Sequence, residues 1–120
     1  GDNLPDGAVY QIVLPPAGPA RFTYASAGVR SLLGFAPAEV VADPELLYRL
    51  VHPDDLGAFR AAEVAALRGM KPFDHEFRSF TRGGELRWLH VRSRPAPRPD
   101  GGSEWNGLLL DVTERRRAED

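Results

Sequence analysis

The chain has 120 residues, 42% of them hydrophobic and 27% charged, and its formal net charge is −2. This composition is typical of one globular domain and gives no overall positive field that would attract nucleic acid or an anionic membrane surface. The absence of cysteine excludes disulfides, thiolate metal ligands and cysteine nucleophiles. Because no apolar run approaches the roughly 18 residues that a membrane helix needs, we expect a cytoplasmic protein without direct membrane contact.

The first half of the chain predicts two strands followed by short helices. Residues 7–14 are rich in β-branched and aromatic side chains, and the Pro- and Gly-rich segment 15–19 ends this run. Residues 21–24 supply the second strand of the hairpin. Helical segments of one or two turns follow within residues 26–52, interrupted by glycine and proline.

A longer helix is predicted over residues 56–69, where apolar side chains recur at helical spacing. Asp54 or Asp55 is placed to cap its start, and Gly69 is placed to end it. Capping explains this acidic pair better than a catalytic carboxylate pair does.

Three further strands complete the pattern, at residues 73–81, 86–94 and 105–112. The segment 82–85 has the composition of a tight hairpin turn, and residues 95–102 form a turn rich in Pro, Gly and Asp. Strands and helices that are segregated along the chain favour an α+β fold with an antiparallel sheet.

Six short motifs follow one another along this pattern. They are Leu4-Pro5-Asp6-Gly7, Leu32-Leu33-Gly34-Phe35, His52-Pro53-Asp54-Asp55, Glu76-Phe77-Arg78, Gly83-Gly84 with Arg87-Trp88, and Asp111-Val112-Thr113-Glu114-Arg115. In this order and spacing the motifs resemble the PAS domain, in its fold-3 and PAC-type form, of bacterial sensor proteins such as sensor histidine kinases. The resemblance extends over nearly the whole chain.

The resemblance implies a five-stranded antiparallel sheet with short helices and one longer helix packed on one face. It implies a non-catalytic sensor domain at residues 1–112, with residues 113–120 beginning a helix that connects to an output domain in a longer protein. We expect a histidine kinase as output; a diguanylate cyclase or phosphodiesterase output and a ligand-free dimerisation module are the alternatives. The cytoplasmic part of a membrane-anchored sensor is a compatible location.

The family alignment places one row of residues on the concave side of the sheet, where a ligand pocket would lie. These pocket candidates are His75, Phe77, Ser79, Leu89, Val91 and Leu109. Because the row is largely apolar and few polar groups converge on it, we expect a filled or nearly filled core.

We expect no cofactor and no metal. The chain's histidines are His52, His75 and His90. None of them lies in the long helix, from which haem-binding relatives usually supply a ligand. Flavin photoreceptors of the related LOV group use a cysteine and strand amides, whereas the aligned strand positions here are Ser79, Leu89 and Leu109. The purified domain is therefore expected to be colourless.

The opposite face of the sheet carries apolar residues where a water-facing sheet would be polar. Its members are Phe80, Trp88, His90, Leu108 and Leu110. Contiguous exposed apolar surface marks a partner site, so we expect a homodimer through this face. Packing of some of these residues against the chain's own loops or N-terminus is the alternative.

The end of the last strand is the expected signal junction. Asp111 continues the strand period of Leu109 and should face the same side, where it needs partners. Thr113 is expected to cap the final helix, with Glu114 in its first turn. This junction is the covalent route from the domain towards a C-terminal neighbour.

Overall fold

The computed structural model describes residues 6–120, so Leu4 and Pro5 of the first motif lie outside the described residues. Its strands are β1 (Gly7–Leu14), β2 (Arg21–Ala25), β3 (Phe73–Phe80), β4 (Leu86–Pro97) and β5 (Ser103–Asp111). They form one five-stranded sheet in the order β2-β1-β5-β4-β3, and every neighbouring pair is antiparallel. The predicted α+β class and the five-stranded antiparallel sheet are confirmed.

Four helices separate β2 from β3 and one follows β5. They are α1 (Gly28–Leu33), α2 (Pro37–Ala42), α3 (Leu46–Leu50), α4 (Pro53–Gly69) and α5 (Thr113–Glu119). Helix α1 contacts β1, α2 contacts β2, and α4 contacts β3. We call the sheet face that these helices cover the inner face. We call the opposite face, towards which the α5 side chains turn, the outer face.

Strand register decides which residues share the inner face. Ala8 pairs with Leu109, Leu109 with Val91, and Val91 with His75, which makes one row across four strands. Directly opposed residues of antiparallel strands point to the same side of a sheet. The family alignment had placed His75, Val91 and Leu109 in one row on this face, as the register does.

The inner face meets α4 in an aromatic cluster centred on Phe59, which is 1% exposed. The Phe59 ring contacts Phe77 and Phe73 edge to face, with ring centroids 4.8 Å and 5.4 Å apart. Edge-to-face contacts of this kind stabilise a core beyond the gain from burial alone. They fix α4 over β3.

The start of α4 differs from the prediction, which placed a cap at Asp54 or Asp55. The helix begins at Pro53, and His52 caps it because its Nδ1 accepts the backbone N–H of Asp54 at 3.0 Å. Proline suits this first helical position because its fixed φ and missing N–H cost nothing there. An imidazole cap was not anticipated because serine, threonine, aspartate and asparagine are the usual capping residues.

Asp55 has a different role: it joins α4 to β3. Its carboxylate accepts hydrogen bonds from the Arg78 backbone N–H at 2.8 Å, from Nε at 3.0 Å and from Nη2 at 2.7 Å. The Arg78 guanidinium and backbone amide hold the pKa of Asp55 below its usual range. A planar guanidinium that meets both carboxylate oxygens also fixes the relative orientation of the two elements.

Candidate ligand-binding cavity and signal junction

A cavity of about 430 Å³ lies between the inner face and the helices. Most of its wall is aliphatic and aromatic, with rings from Phe22, Phe59, Phe73 and Trp105. Small-molecule sites in proteins are mostly apolar clefts of about 300–1,000 Å³. The expectation of a filled core is therefore wrong: the domain has room for a ligand.

Two small residues leave space in the cavity wall. Ala8 on β1 is fully buried and Ala66 on α4 is 7% exposed, and both line the cavity. A larger side chain at either position would project into the volume that the methyl groups leave open. The void thus depends on residues that a hydrophobicity pattern cannot distinguish from other core positions.

The sheet contributes a pair of hydroxyl groups to the cavity wall. Tyr10 of β1 and Ser93 of β4 both line the cavity, and burial raises the pKa of Tyr10 to about 12. The phenol is consequently protonated at neutral pH. Gly107 permits this placement, because a Cβ at that position would lie 2.3 Å from the Tyr10 ring.

The helices contribute a second polar pair, formed by Tyr48 of α3 and Glu63 of α4. The Tyr48 hydroxyl donates a hydrogen bond of 2.6 Å to Oε1 of Glu63. Burial raises the pKa of Glu63, and burial together with the neighbouring Glu63 raises the pKa of Tyr48. The Arg60 guanidinium lies 4.1 Å from the centroid of the Tyr48 ring and holds that ring in place.

Two of the pocket candidates, Val91 and Leu109, line the cavity. Phe77, Ser79 and Leu89 are buried elsewhere in the core and are not part of the cavity wall. The Ser79 hydroxyl donates to the backbone oxygens of Leu50 and Phe80 rather than facing the cavity.

His75, the remaining candidate, is partly buried and does not line the cavity either. Its ring stacks on Phe73 at 6.2 Å and meets Phe59 edge to face at 5.9 Å. The sequence period gives the face of a strand residue but not its level along the strand. The position of the cavity is set by where the helices stand away from the sheet.

Sequence reasoning missed four polar residues of the cavity wall, which are Tyr10, Tyr48, Glu63 and Ser93. One signal was available: Glu63 recurs with the apolar residues of α4 at helical spacing. A carboxylate on the core-facing side of a helix is costly unless it is paired or functional.

The predicted outer-face residues are all partly buried. The Arg116 guanidinium of α5 lies 3.7 Å from the Trp88 ring centroid, and Phe80 stacks on His52 at 5.6 Å. His90 Nε2 lies 2.6 Å from Asp74. Side chains of the same chain thus cover part of this face.

The junction joins β4, β5 and α5 through two side chains. Asp111 pairs with Leu89 and so faces inward, and its Oδ1 accepts the backbone N–H of Thr113 at 2.9 Å. The Thr113 hydroxyl oxygen accepts the backbone N–H of Trp88 at 2.9 Å. Thr113 is the first residue of α5 and does not cap it, so the predicted cap is wrong: Asp111 satisfies the first helical amide, and Thr113 binds the helix to β4.

Ion pairs on the outer face hold the α5 helix against the sheet. Glu76 of β3 pairs with Arg115 at 2.5 Å and with Arg116 at 3.5 Å. The hydrogen bond from Arg115 and the nearby charges lower the pKa of Glu76, so it is ionised at neutral pH. The start of the final helix is therefore anchored to both β3 and β4.

Within residues 6–120, the side chains of histidine, aspartate and glutamate form no group of three that could hold a metal ion. In the same part of the chain, none of the helices combines the length and apolar character that crossing a bilayer requires.

The domain is a helix-covered antiparallel sheet that encloses a cavity, with a terminal helix that follows the last strand. The chain belongs to the PAS fold family, whose model matches residues 22–108. The resemblance stated from the motifs is confirmed.

Known proteins extend this assignment. The blue-light-activated histidine kinase of Brucella ovis is 34% identical over 94 residues, which are 78% of this chain and 18% of that protein. The sensory box histidine kinase/response regulator of Burkholderia thailandensis has a TM-score of 0.71 at 26% identity, covering 96% of this chain and 83% of the other.

A PAS/PAC domain of a Marinobacter aquaeolei diguanylate cyclase shares the fold, with a TM-score of 0.79 at 16% identity, over 92% of this chain and 98% of the other. The chain spans 9% to 18% of the length of the curated relatives that it matches.

The expectation that no cofactor binds is wrong. The Brucella relative is a blue-light-activated kinase, and a light-oxygen-voltage domain studied with a flavin analogue has the same fold at a TM-score of 0.71 and 18% identity. The prediction considered polar contacts at Ser79, Leu89 and Leu109, whereas the cavity of this chain takes its polar groups from other positions. The chain has no cysteine, so a flavin held here would be bound without a thioether bond.

Proposed function

We propose that this chain is the cytoplasmic input domain of a bacterial sensor histidine kinase, and that its interior cavity binds a planar aromatic ligand of the flavin class. The observation that carries the proposal is the cavity of about 430 Å³ with aromatic rings and two polar pairs in its wall. The kinase assignment is supported by the Brucella relative at 34% identity.

The cavity wall suits the shape and chemistry of such a ligand. Rings of Phe22, Phe59 and Trp105 offer flat apolar surface, and aromatic pairs gain stability when their rings stack with an offset or meet edge to face. The hydroxyls of Tyr10 and Tyr48 lie in the same wall and are protonated at neutral pH. A bound flavin supplies light absorption and a reversible redox change.

The route to the output runs along β5. Leu109 lines the cavity, and Asp111, two residues further on, holds the first amide of α5. Thr113 and Glu76 bind that helix to β4 and β3. A ligand that favours one position of β5 over another would therefore change how α5 is held, since a ligand shifts an equilibrium only through different affinities for its two states.

The outer face supports a second element of the proposal, which is a homodimer. Leu108 and Leu110 are both partly buried on this face, and Leu108 lines an open groove together with Val9 and Tyr24. Exposed apolar surface of this kind marks partner sites. Pairing of two protomers here would bring their α5 helices to one side of the dimer.

The first experiment identifies the ligand. The domain is expressed in cells supplied with riboflavin, purified and examined by native mass spectrometry and absorption spectroscopy. We expect a stoichiometric small molecule that absorbs beyond the aromatic region. An empty, colourless protein whose Tm is unchanged by riboflavin would refute ligand binding and favour the ligand-free dimerisation module.

The second experiment concerns the output. The full-length gene product should transfer phosphate from ATP to its own histidine, at a rate that changes with ligand occupancy. Formation or hydrolysis of cyclic di-GMP instead would replace the kinase with the cyclase or phosphodiesterase alternative. The shared fold with the Marinobacter domain, at 16% identity, does not favour that alternative.

A further inference from the structure

The two polar pairs of the cavity belong to different layers of the domain. Tyr10 and Ser93 lie on the sheet, whereas Tyr48 and Glu63 lie on helices. A ligand between the layers therefore meets polar groups from both, and apolar surface elsewhere.

The helix pair presents a hydrogen-bond acceptor. The Tyr48 hydroxyl donates a hydrogen bond to Oε1 of Glu63. Within residues 6–120, this is the only hydrogen bond of the Glu63 side chain. Its second oxygen, Oε2, remains available. Tyr48 is itself held between the Arg60 guanidinium and the edge of Phe59, so the carboxylate is kept in one orientation.

The sheet pair presents a hydrogen-bond donor. Tyr10 and Ser93 both line the cavity, and each carries one hydroxyl proton that can be donated to a ligand carbonyl. Ser93 is 4% exposed, so its hydroxyl lies in the wall of the cavity and away from the outer surface of the domain.

We propose that the cavity recognises the lactam or imide edge of a planar heterocycle. Glu63 accepts the ligand N–H, and the Tyr10–Ser93 pair donates to the adjacent carbonyl. Tyr48 is a positioning residue that aims Glu63. This inference rests on the proposed function, since it names the chemical edge by which the ligand is read. Flavins carry such an edge, as do other fused heterocycles with a ring N–H beside a carbonyl.

The decisive comparison is made on the ligand and needs no variant. Lumiflavin and 3-methyllumiflavin differ only in a methyl group that replaces the imide proton. Binding of each to the unaltered domain is measured by titration calorimetry. We expect lumiflavin to bind at least about tenfold more tightly, because a hydrogen bond to a charged acceptor is lost in the methylated compound.

Variants of the domain then show which residue causes the preference for lumiflavin over 3-methyllumiflavin. Glu63→Leu should reduce the preference for lumiflavin to less than about twofold, and Tyr48→Phe should reduce it partially. Glu45→Leu is the matched control, because Glu45 also lines the cavity but is exposed and has no tyrosine partner. It should keep the full preference. Phenanthrene, which has no polar edge, should raise the Tm of all four proteins and so verify that each folds with its cavity intact.

The outcomes separate the two proposals. Tighter binding of lumiflavin that depends on Glu63 supports the inference. If lumiflavin and 3-methyllumiflavin bind equally, or if Glu45→Leu removes the preference as fully as Glu63→Leu does, the edge is not read by Glu63 and the inference is overturned, while ligand binding stands. If none of the three compounds binds the unaltered domain, both proposals fail.

Discussion

Filling the cavity should stabilise the domain and abolish ligand binding at the same time. Ala66→Leu adds three carbon atoms at a position of α4 that is 7% exposed and lines a void of about 430 Å³. Burial of three carbons gains about 2.4 kcal/mol at about 0.8 kcal/mol each, and the loss of leucine rotamer freedom costs about 0.5–1 kcal/mol. The net gain is about 1.5 kcal/mol, or roughly 6 °C in Tm for a domain of this size.

The matched control is Ala65→Leu, one residue earlier on the exposed side of the same helix. It makes the same change in helix propensity without entering the cavity. Both variants are compared with the unaltered chain by urea denaturation after refolding free of small molecules, and lumiflavin binding is then measured by calorimetry. Ala66→Leu should be the most stable and the weakest binder. If it is less stable than Ala65→Leu, or binds lumiflavin undiminished, the void described above is not present in solution.

Three other changes test the remaining features of the domain. Asp55→Asn should lower the urea midpoint at pH 7. Because Arg78 lowers the pKa of Asp55, the stability from this carboxylate is present above its ordinary pKa of 3.8 and is lost as the pH falls through the lowered value. The difference between the two proteins should therefore vanish in strongly acidic buffer, and a pH-independent difference would contradict the ion pair. Thr113→Ala should speed hydrogen exchange at the Trp88 amide, which loses its acceptor, with little change in global unfolding; unchanged exchange would mean that α5 is held without this bond. Leu110→Glu should convert a dimer to a monomer in analytical ultracentrifugation with an unchanged circular dichroism spectrum, whereas an unaltered chain that is already monomeric removes the dimer proposal.

The sequence predicted the strands well because their residue types carry the information locally. The alternating side chains of β1 and the turn residues around Gly83 gave the bounds of the hairpins within one or two residues, apart from β4, which continues to Pro97. The family alignment placed Val91 and Leu109 on the inner face and the strand period added Asp111, and the register has all three there.

The cavity could not be predicted in the same way. Its volume is the difference between the space that the sheet and helices enclose and the space that side chains such as Ala8 and Ala66 fill. Such a difference involves residues far apart in sequence, and no local pattern reports it. The predictions of the two helix caps were wrong for a related reason. His52 and Asp111 accept the first helical amides because the backbone turns place their side chains beside those N–H groups.

The positions of the two tryptophans provide intrinsic fluorescent reporters. Trp105 lies in the cavity wall with 4% exposure, and Trp88 lies under the Arg116 guanidinium at the start of α5. One indole therefore stands at each end of the path from ligand to output helix, and the chain contains no other. Replacing either tryptophan with phenylalanine leaves a single fluorescent indole. Ligand binding in the cavity and the response of α5 can then be followed separately, and their order in time can be measured on unlabelled protein.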